Sequence, residues 1–198
     1  VEAERRIRRG EIVDRYGRPL AISEPRASGV WERVYPAPAA APVVGYASIN
    51  HGTGGIEDAY NAALRGDRAL SDLEALRAQL LHRYPEGVDI RLSIDVDLTR
   101  RASAALEGRR GAVVVFDVRS GELLAVVSQP TFDPNTLESD WPQLQFDADN
   151  PMLNRATQGL YPPGLVFETL TLAAVLEERV ATPTTVCTDV LGVVLDVA

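Results

Sequence analysis

Residues 111–130 constrain the fold more than any other stretch of the chain. Ala112-Val113-Val114-Val115-Phe116 is a continuous apolar run, Arg119-Ser120-Gly121 is a turn, and Leu123-Leu124-Ala125-Val126-Val127 returns before Pro130 stops it. Two apolar runs joined by a tight turn predict an antiparallel hairpin, and a run without polar alternation predicts cover on both faces. Sheet faces need helices to cover them. The spacing predicts helices over 68–83 (Leu70, Leu73, Leu76, Leu80 and Leu81, capped by Ser71 or Asp72), 98–106 and 165–179. The last, with Phe167, Leu170, Thr171, Ala174, Val175 and Leu176, reads as a core helix behind Pro162-Pro163-Gly164. The class is α+β, and 198 residues suffice for one large domain or two small ones.

Upstream, Glu11-Ile12-Val13-Asp14, a turn at Tyr16-Gly17 and Leu20-Ala21 predict a short hairpin. Arg5, Arg6, Arg8 and Arg9 before it read as a solvated face rather than a binding patch. Pro36, Pro38 and Pro42 turn 34–42 into an extended connector. Gly52-Thr53-Gly54-Gly55 precedes a helix at 56–64 whose first turn holds Glu57 and Asp58. A phosphate cradle is the alternative reading of this loop, but no Lys or Ser/Thr follows at the needed spacing. Tyr84-Pro85-Glu86-Gly87 marks a boundary between domains at 1–86 and 87–198. Val88, Ile90, Leu92 and Ile94 alternate as a strand, and Asp95 or Asp97 caps the next helix. Those two carboxylates also have the look of an acid/base pair, for which a cap is the simpler account. Residues 131–150 read as an irregular acidic loop whose spacing matches no calcium-binding loop.

All 20 basic residues are arginine, so the chain holds no lysine. That excludes a Walker-A loop, a Schiff base and a Ser-Lys acyl transfer built from this chain's own residues. A net charge of −8 argues against nucleic acid. No cofactor or metal motif is present, and Cys187, flanked by Val186 and Thr188, reads as a half-buried thiol without a disulfide partner. No apolar run reaches the length of a membrane span, and the start at Val1 leaves room for an anchor upstream.

Several ordered segments resemble the class B penicillin-binding proteins, the anchored transpeptidases of bacterial cell-wall synthesis. Arg9-Gly10-Glu11-Ile12-Val13-Asp14-Arg15-Tyr16-Gly17 is similar to that family's opening segment. Tyr35-Pro36, Val44-Gly45-Tyr46, Gly54-Gly55-Ile56-Glu57, Leu64-Arg65-Gly66, Ile94-Asp95, Ser120-Gly121-Glu122-Leu123-Leu124-Ala125 and Pro130-Thr131-Phe132-Asp133-Pro134-Asn135 follow in the family's order. Asn154-Arg155-Ala156-Thr157-Gln158-Gly159-Leu160-Tyr161-Pro162-Pro163-Gly164 completes the set. The resemblance implies a pedestal (dimerisation-like) domain followed by a truncated transpeptidase-like α/β domain with an antiparallel sheet and a core helix.

In that family Ser-x-x-Lys follows Pro-Pro-Gly, and here the two positions are Leu165 and Glu168. Neither supplies a nucleophile or an amine, and Thr169 and Thr171 lie further along the helix, off the required face. The resemblance with these replacements therefore implies a protein without enzymatic activity: a pseudoenzyme scaffold or interaction module outside the cytoplasmic membrane, anchored through a segment not in this chain. Its partners would be cell-wall synthesis proteins or a second copy of itself, with peptidoglycan contact possible. The alternatives are a fragment of, or an active, penicillin-binding D,D-transpeptidase, and an unrelated binding domain. The hairpin without further strands would leave an open edge and a bare apolar face, which predicts self-association or a piece of a longer chain.

Overall fold

The computed structural model describes residues 6–26, 29–67, 86–185, 187–188 and 194–195, the last two pairs as backbone only. The chain divides into two compact units, Val1–Gly159 and Leu160–Ala198. The helix expected over 68–83, its caps, Tyr84-Pro85, Arg5 and the Cys187 side chain lie outside what is described.

In the first unit the expected hairpin forms: β1 (Ile12–Val13) pairs antiparallel with β2 (Pro19–Arg26), Ile12 opposite Ala21. β3 (Val30–Val34) extends the sheet beyond β2. On the far side β1 pairs parallel with β6 (Ile90–Arg91), giving the order β3-β2-β1-β6. Ladder formation near residue 90 is thus shorter than the alternation from 88 to 94 predicted, although Leu92 N still donates to Val13 O at 2.9 Å. Residues 34–42 are not an extended connector. Pro38–Ala40 forms a 3-10 turn and Ala41–Val44 a helical turn, α1, because Pro38 and Pro42 sit in the first turns, where no amide hydrogen bond is required of them. A second small sheet pairs β4 (Tyr46–Ser48) with β5 (Gly52–Gly54). Two helical turns follow, α2 (Ile56–Ala59) and α3 (Asn61–Leu64), broken at Tyr60.

Close backbone approaches need glycine at Gly45 and Gly10, among others. Gly45 has φ +78°, and a Cβ there would lie 1.8 Å from Gly54 O. Gly10 passes Val88 so closely that a Cβ would meet its carbonyl oxygen at 2.1 Å. Around these crossings Ile12, Leu20, Ala21, Tyr35, Val44, Leu64 and Val96 form the main core.

Helix α4 (Val96–Ala105) starts two residues before the predicted position, with Asp95 as the N-cap accepting from Asp97 N and Leu98 N. The hairpin follows as expected: β7 (Gly111–Phe116) pairs with β8 (Leu123–Gln129) from Gly111 opposite Gln129 to Phe116 opposite Leu123. Cover on both faces does not. Ala125–Ser128 are buried, with α4 packed on β8, whereas Val114 is 45% and Phe116 57% exposed. The acidic stretch is also not all loop. Leu137–Phe146 is a helix, α5, in spite of Pro142, because Leu137, Trp141 and Leu144 have Phe132, Tyr46 and Met152 to pack against. Beyond it the buried Arg155 gathers the carbonyls of Asp149, Asn150 and Leu153 and fixes that turn.

In the second unit a 3-10 turn, Gly164–Val166, leads into α6 (Phe167–Glu177), and β9 (Cys187–Thr188) pairs with β10 (Val194–Leu195). The helix arises where expected, but its apolar residues are bare rather than buried: Phe167 is 55% and Leu170 64% exposed. Phe167, Leu170, Leu172, Val175 and Leu176 are distributed around the whole helix, so no single face could bury them all.

Candidate functional site

The two positions singled out by sequence straddle the junction of the 3-10 turn and α6. Leu165 lies inside the 3-10 turn, 80% exposed, and Glu168 is the second residue of α6, also exposed. A spacing of three puts them nearly above one another at a helix start. The place therefore has the geometry of a paired site, while its side chains are an isobutyl group and a carboxylate. Thr171 Oγ1 turns back to Phe167 O at 3.5 Å, a bond to its own helix. Among the described residues no group of His, Cys, Asp and Glu could hold a metal, and no helix is long and apolar enough to cross a membrane.

Two charged clusters in the first unit escaped the sequence reading. The first centres on Arg18. Its guanidinium reaches Asp14 Oδ2 and Asp95 Oδ1, each at 2.7 Å, and also pairs with Asp97. Asp14 is fully buried and additionally accepts from the backbone N–H groups of Tyr16, Arg18 and Val96. Burial pushes the Asp14 carboxyl up, but these donors outweigh it and hold the group below the usual aspartate range. Asp95 is lowered in the same way: desolvation opposes, and the N–H groups of Leu98 and Asp97 together with Arg18 prevail. One arginine thus ties the β1–β2 turn to the N-terminus of α4. Asp95 serves both as cap and as arginine partner, and the paired carboxylates face a cation rather than each other.

The second cluster centres on Glu57. Helical dipole placement was the sequence reason for a carboxylate there, yet the side chain is fully buried. It accepts from Arg9 Nη2 at 2.7 Å and Nε at 3.2 Å, and from Arg33 Nε at 2.6 Å. Arg9 is therefore not part of a solvated face, although Arg6 and Arg8 are exposed. Arg9 Nη1 also donates to Asn61 Oδ1 at 2.9 Å. Tyr35 Oη lies 3.4 Å from Glu57 Oε1 and accepts from Ala47 N; burial first, then the Glu57 charge, push its pKa up. A signal was available for Asp14: it occupies an inward position of an alternating strand. For Arg9 and Glu57, 48 residues apart, there was none.

A third contact set joins the β4–β5 turn to α5. His51 stacks on Trp141 with ring centroids 4.0 Å apart, and Asn50 Nδ2 donates to Glu138 Oε2 at 2.9 Å. Asn135, from the Pro130–Asn135 segment, brackets Tyr35, accepting from its N–H and donating to its carbonyl.

Comparison with known proteins gives these clusters a setting. Residues 9–90 match the penicillin binding protein A dimerisation domain, and residues 111–196 match the penicillin binding protein transpeptidase domain. Peptidoglycan D,D-transpeptidase PbpA of Mycolicibacterium smegmatis is 35% identical over 159 residues, 73% of this chain and 32% of that protein. Peptidoglycan D,D-transpeptidase MrdA of Acinetobacter baumannii is 40% identical over 121 residues, 56% of this chain and 18% of that protein. The chain thus spans a third or less of these relatives. The imipenem acyl-enzyme complex of penicillin-binding protein A from M. tuberculosis superposes with a TM-score of 0.81 and 31% identity, covering 95% of this chain and 46% of that one. The D,D-transpeptidase domain from Eggerthella lenta gives 0.78 and 34%, over 96% and 43%.

These findings overturn the expectation of a protein without activity. The relatives are named D,D-transpeptidases, and a solved neighbour is an acyl-enzyme. The reason is one of scope: the expectation rested on two side chains at one helix start, Leu165 and Glu168, whereas the likeness to these transpeptidases covers 73% of the chain in sequence and 95% in fold. With a dimerisation domain followed by transpeptidase-domain sequence, and that fold, the chain belongs to the class B penicillin-binding proteins.

Proposed function

We propose that the chain works in bacterial peptidoglycan synthesis as part of a D,D-transpeptidase, outside the cytoplasmic membrane. Residues 1–86 act as the pedestal, and the transpeptidase region begins at 87. The observation that carries the reading is the Arg18 cluster. It fastens the β1–β2 turn to the N-terminus of α4, the helix that packs on β8. A pedestal bound in this way orients the sheet rather than merely linking to it. Cell-wall synthesis proteins, or a second copy of the chain, are the partners a dimerisation domain suits.

Leu165 and Glu168 occupy the place where the family carries its serine and lysine. The test is the full-length gene product carrying Leu165→Ser together with Glu168→Lys, incubated with a fluorescent penicillin and run under denaturing conditions. The double variant is expected to give a covalent band stronger than that of the unsubstituted protein. A variant with unchanged circular dichroism and melting temperature but no gain in labelling would separate residues 164–168 from the acylation locus and overturn the proposal.

A further inference from the structure

Two guanidinium groups share one carboxylate inside the pedestal. Arg9 and Arg33 both bond to the fully buried Glu57. The Arg33 side chain is only 7% exposed; its Nη1 donates to Gly10 O and Ser23 Oγ, while its buried Nη2 finds no acceptor among the described residues. Tyr35 adds no negative charge, since its hydroxyl is held protonated by burial and by Glu57. The cluster therefore keeps one positive charge in surplus, in surroundings where an uncompensated charge is costly.

Both arginines line a cavity of about 290 Å³ between β3, the β4–β5 turn and α3. Its other charged walls cancel: Glu32 pairs with Arg26, and Arg65 with Asp67 at 3.3 Å. Ser23 and Asn61 add polar groups beside the arginines, and the Trp31 indole and Ile49 supply apolar wall. A cavity of this volume is at the small end of ligand sites.

We propose that this cavity binds a carboxylate carried on an apolar stem. One carboxylate balances the surplus charge, forming charge-assisted bonds to the arginines, and the stem lies against Trp31 and Ile49. A neutral ligand of the same shape leaves the charge unbalanced. The carboxylate can come from a small free acid or from the C-terminus of a peptide.

Trp31 is one of only two tryptophans, so Trp141→Phe leaves it as the sole indole reporter. In that background phenylacetate is expected to change the Trp31 emission saturably in the millimolar range, with matching heat in calorimetry, while phenylacetamide does not. An N-acetylated dipeptide ending in Phe, as free acid and as amide, identifies the source. Binding of the peptide acid extends the ligand to peptide termini, and binding of phenylacetate alone confines it to small acids. Asn61→Asp is the informative variant, because it keeps the acceptor 2.9 Å from Arg9 Nη1 and adds the missing negative charge without adding volume. It is expected to fold normally and to weaken phenylacetate binding about tenfold or more. Equal binding of acid and amide, an Asn61→Asp protein that binds as well as its parent, or no heat with phenylacetate would each overturn the proposal.

Discussion

Asp14 has no solvent exposure, and it stays ionised because four donors converge on its two oxygens, two of them from Arg18. Its folded pKa lies below that of the unfolded chain, as does that of Asp95. Such groups contribute stability that is fully present above the unfolded value, about 3.9, and is lost as pH falls through the folded value. The native protein should therefore weaken from about pH 5 downward. Asp14→Asn keeps an acceptor but removes the charge opposite Arg18. Urea unfolding is expected to show a loss of about 3 kcal/mol at pH 7 and a smaller difference between pH 7 and pH 3 than in the parent. An unchanged pH difference would put the acid sensitivity elsewhere. The cap role of Asp95 was legible in sequence because an aspartate stood directly before a helical pattern. Its second role, as partner of Arg18, was not, since 77 residues separate the two. Glu57 shows the same limit: local sequence explains a carboxylate in a first helical turn, but only the fold brings two arginines to it.

Elements were legible where one local rule governed them. The β1–β2 and β7–β8 hairpins follow from apolar runs separated by turn residues, and α4 follows from its cap. The failures came where proline has two meanings. Pro38 and Pro42 argue against a helix by composition, yet both stand in first turns, the positions that tolerate them. Pro142 lies inside α5, a helix sustained by its packing on Phe132 and Tyr46 rather than by propensity. The β4–β5 sheet depends on a different residue. Gly45→Ala places a Cβ 1.8 Å from Gly54 O at φ +78°, so backbone must move. A loss of about 3 kcal/mol is expected from thermal unfolding, against less than about 1 kcal/mol for an exposed control such as Gly121→Ala, where only the positive φ opposes the side chain.

On the scale of the whole molecule, the order of the family's segments carried the architecture, because each short motif is weak and their sequence along the chain is not. Burial was the least legible property, since an apolar run records what a strand is fit to pack against and not whether anything is there. The outward residues of β7 make the point: Val114 and Phe116 are half-exposed beside Leu123 of β8. Val114→Thr with Phe116→Ser is expected to lower the concentration dependence of light scattering, while denaturant stability shifts by no more than about 1 kcal/mol. Scattering that does not respond would show that this surface carries no self-association.

The parallel pairing of Ile12 with Ile90 also sets a timetable for synthesis. The β1–β2–β3 sheet can form from local contacts as soon as residue 34 is free, but its fourth strand arrives only after residue 91 has left the ribosome. Gly10 must wait for Leu64, and the carbonyls of Glu11 and Val13 must wait nearly eighty residues for the N–H groups of Ile90 and Leu92. This four-stranded sheet is thus assembled around a late arrival, and a pause in translation anywhere between 35 and 90 would hold an unpaired β1 edge open to other chains.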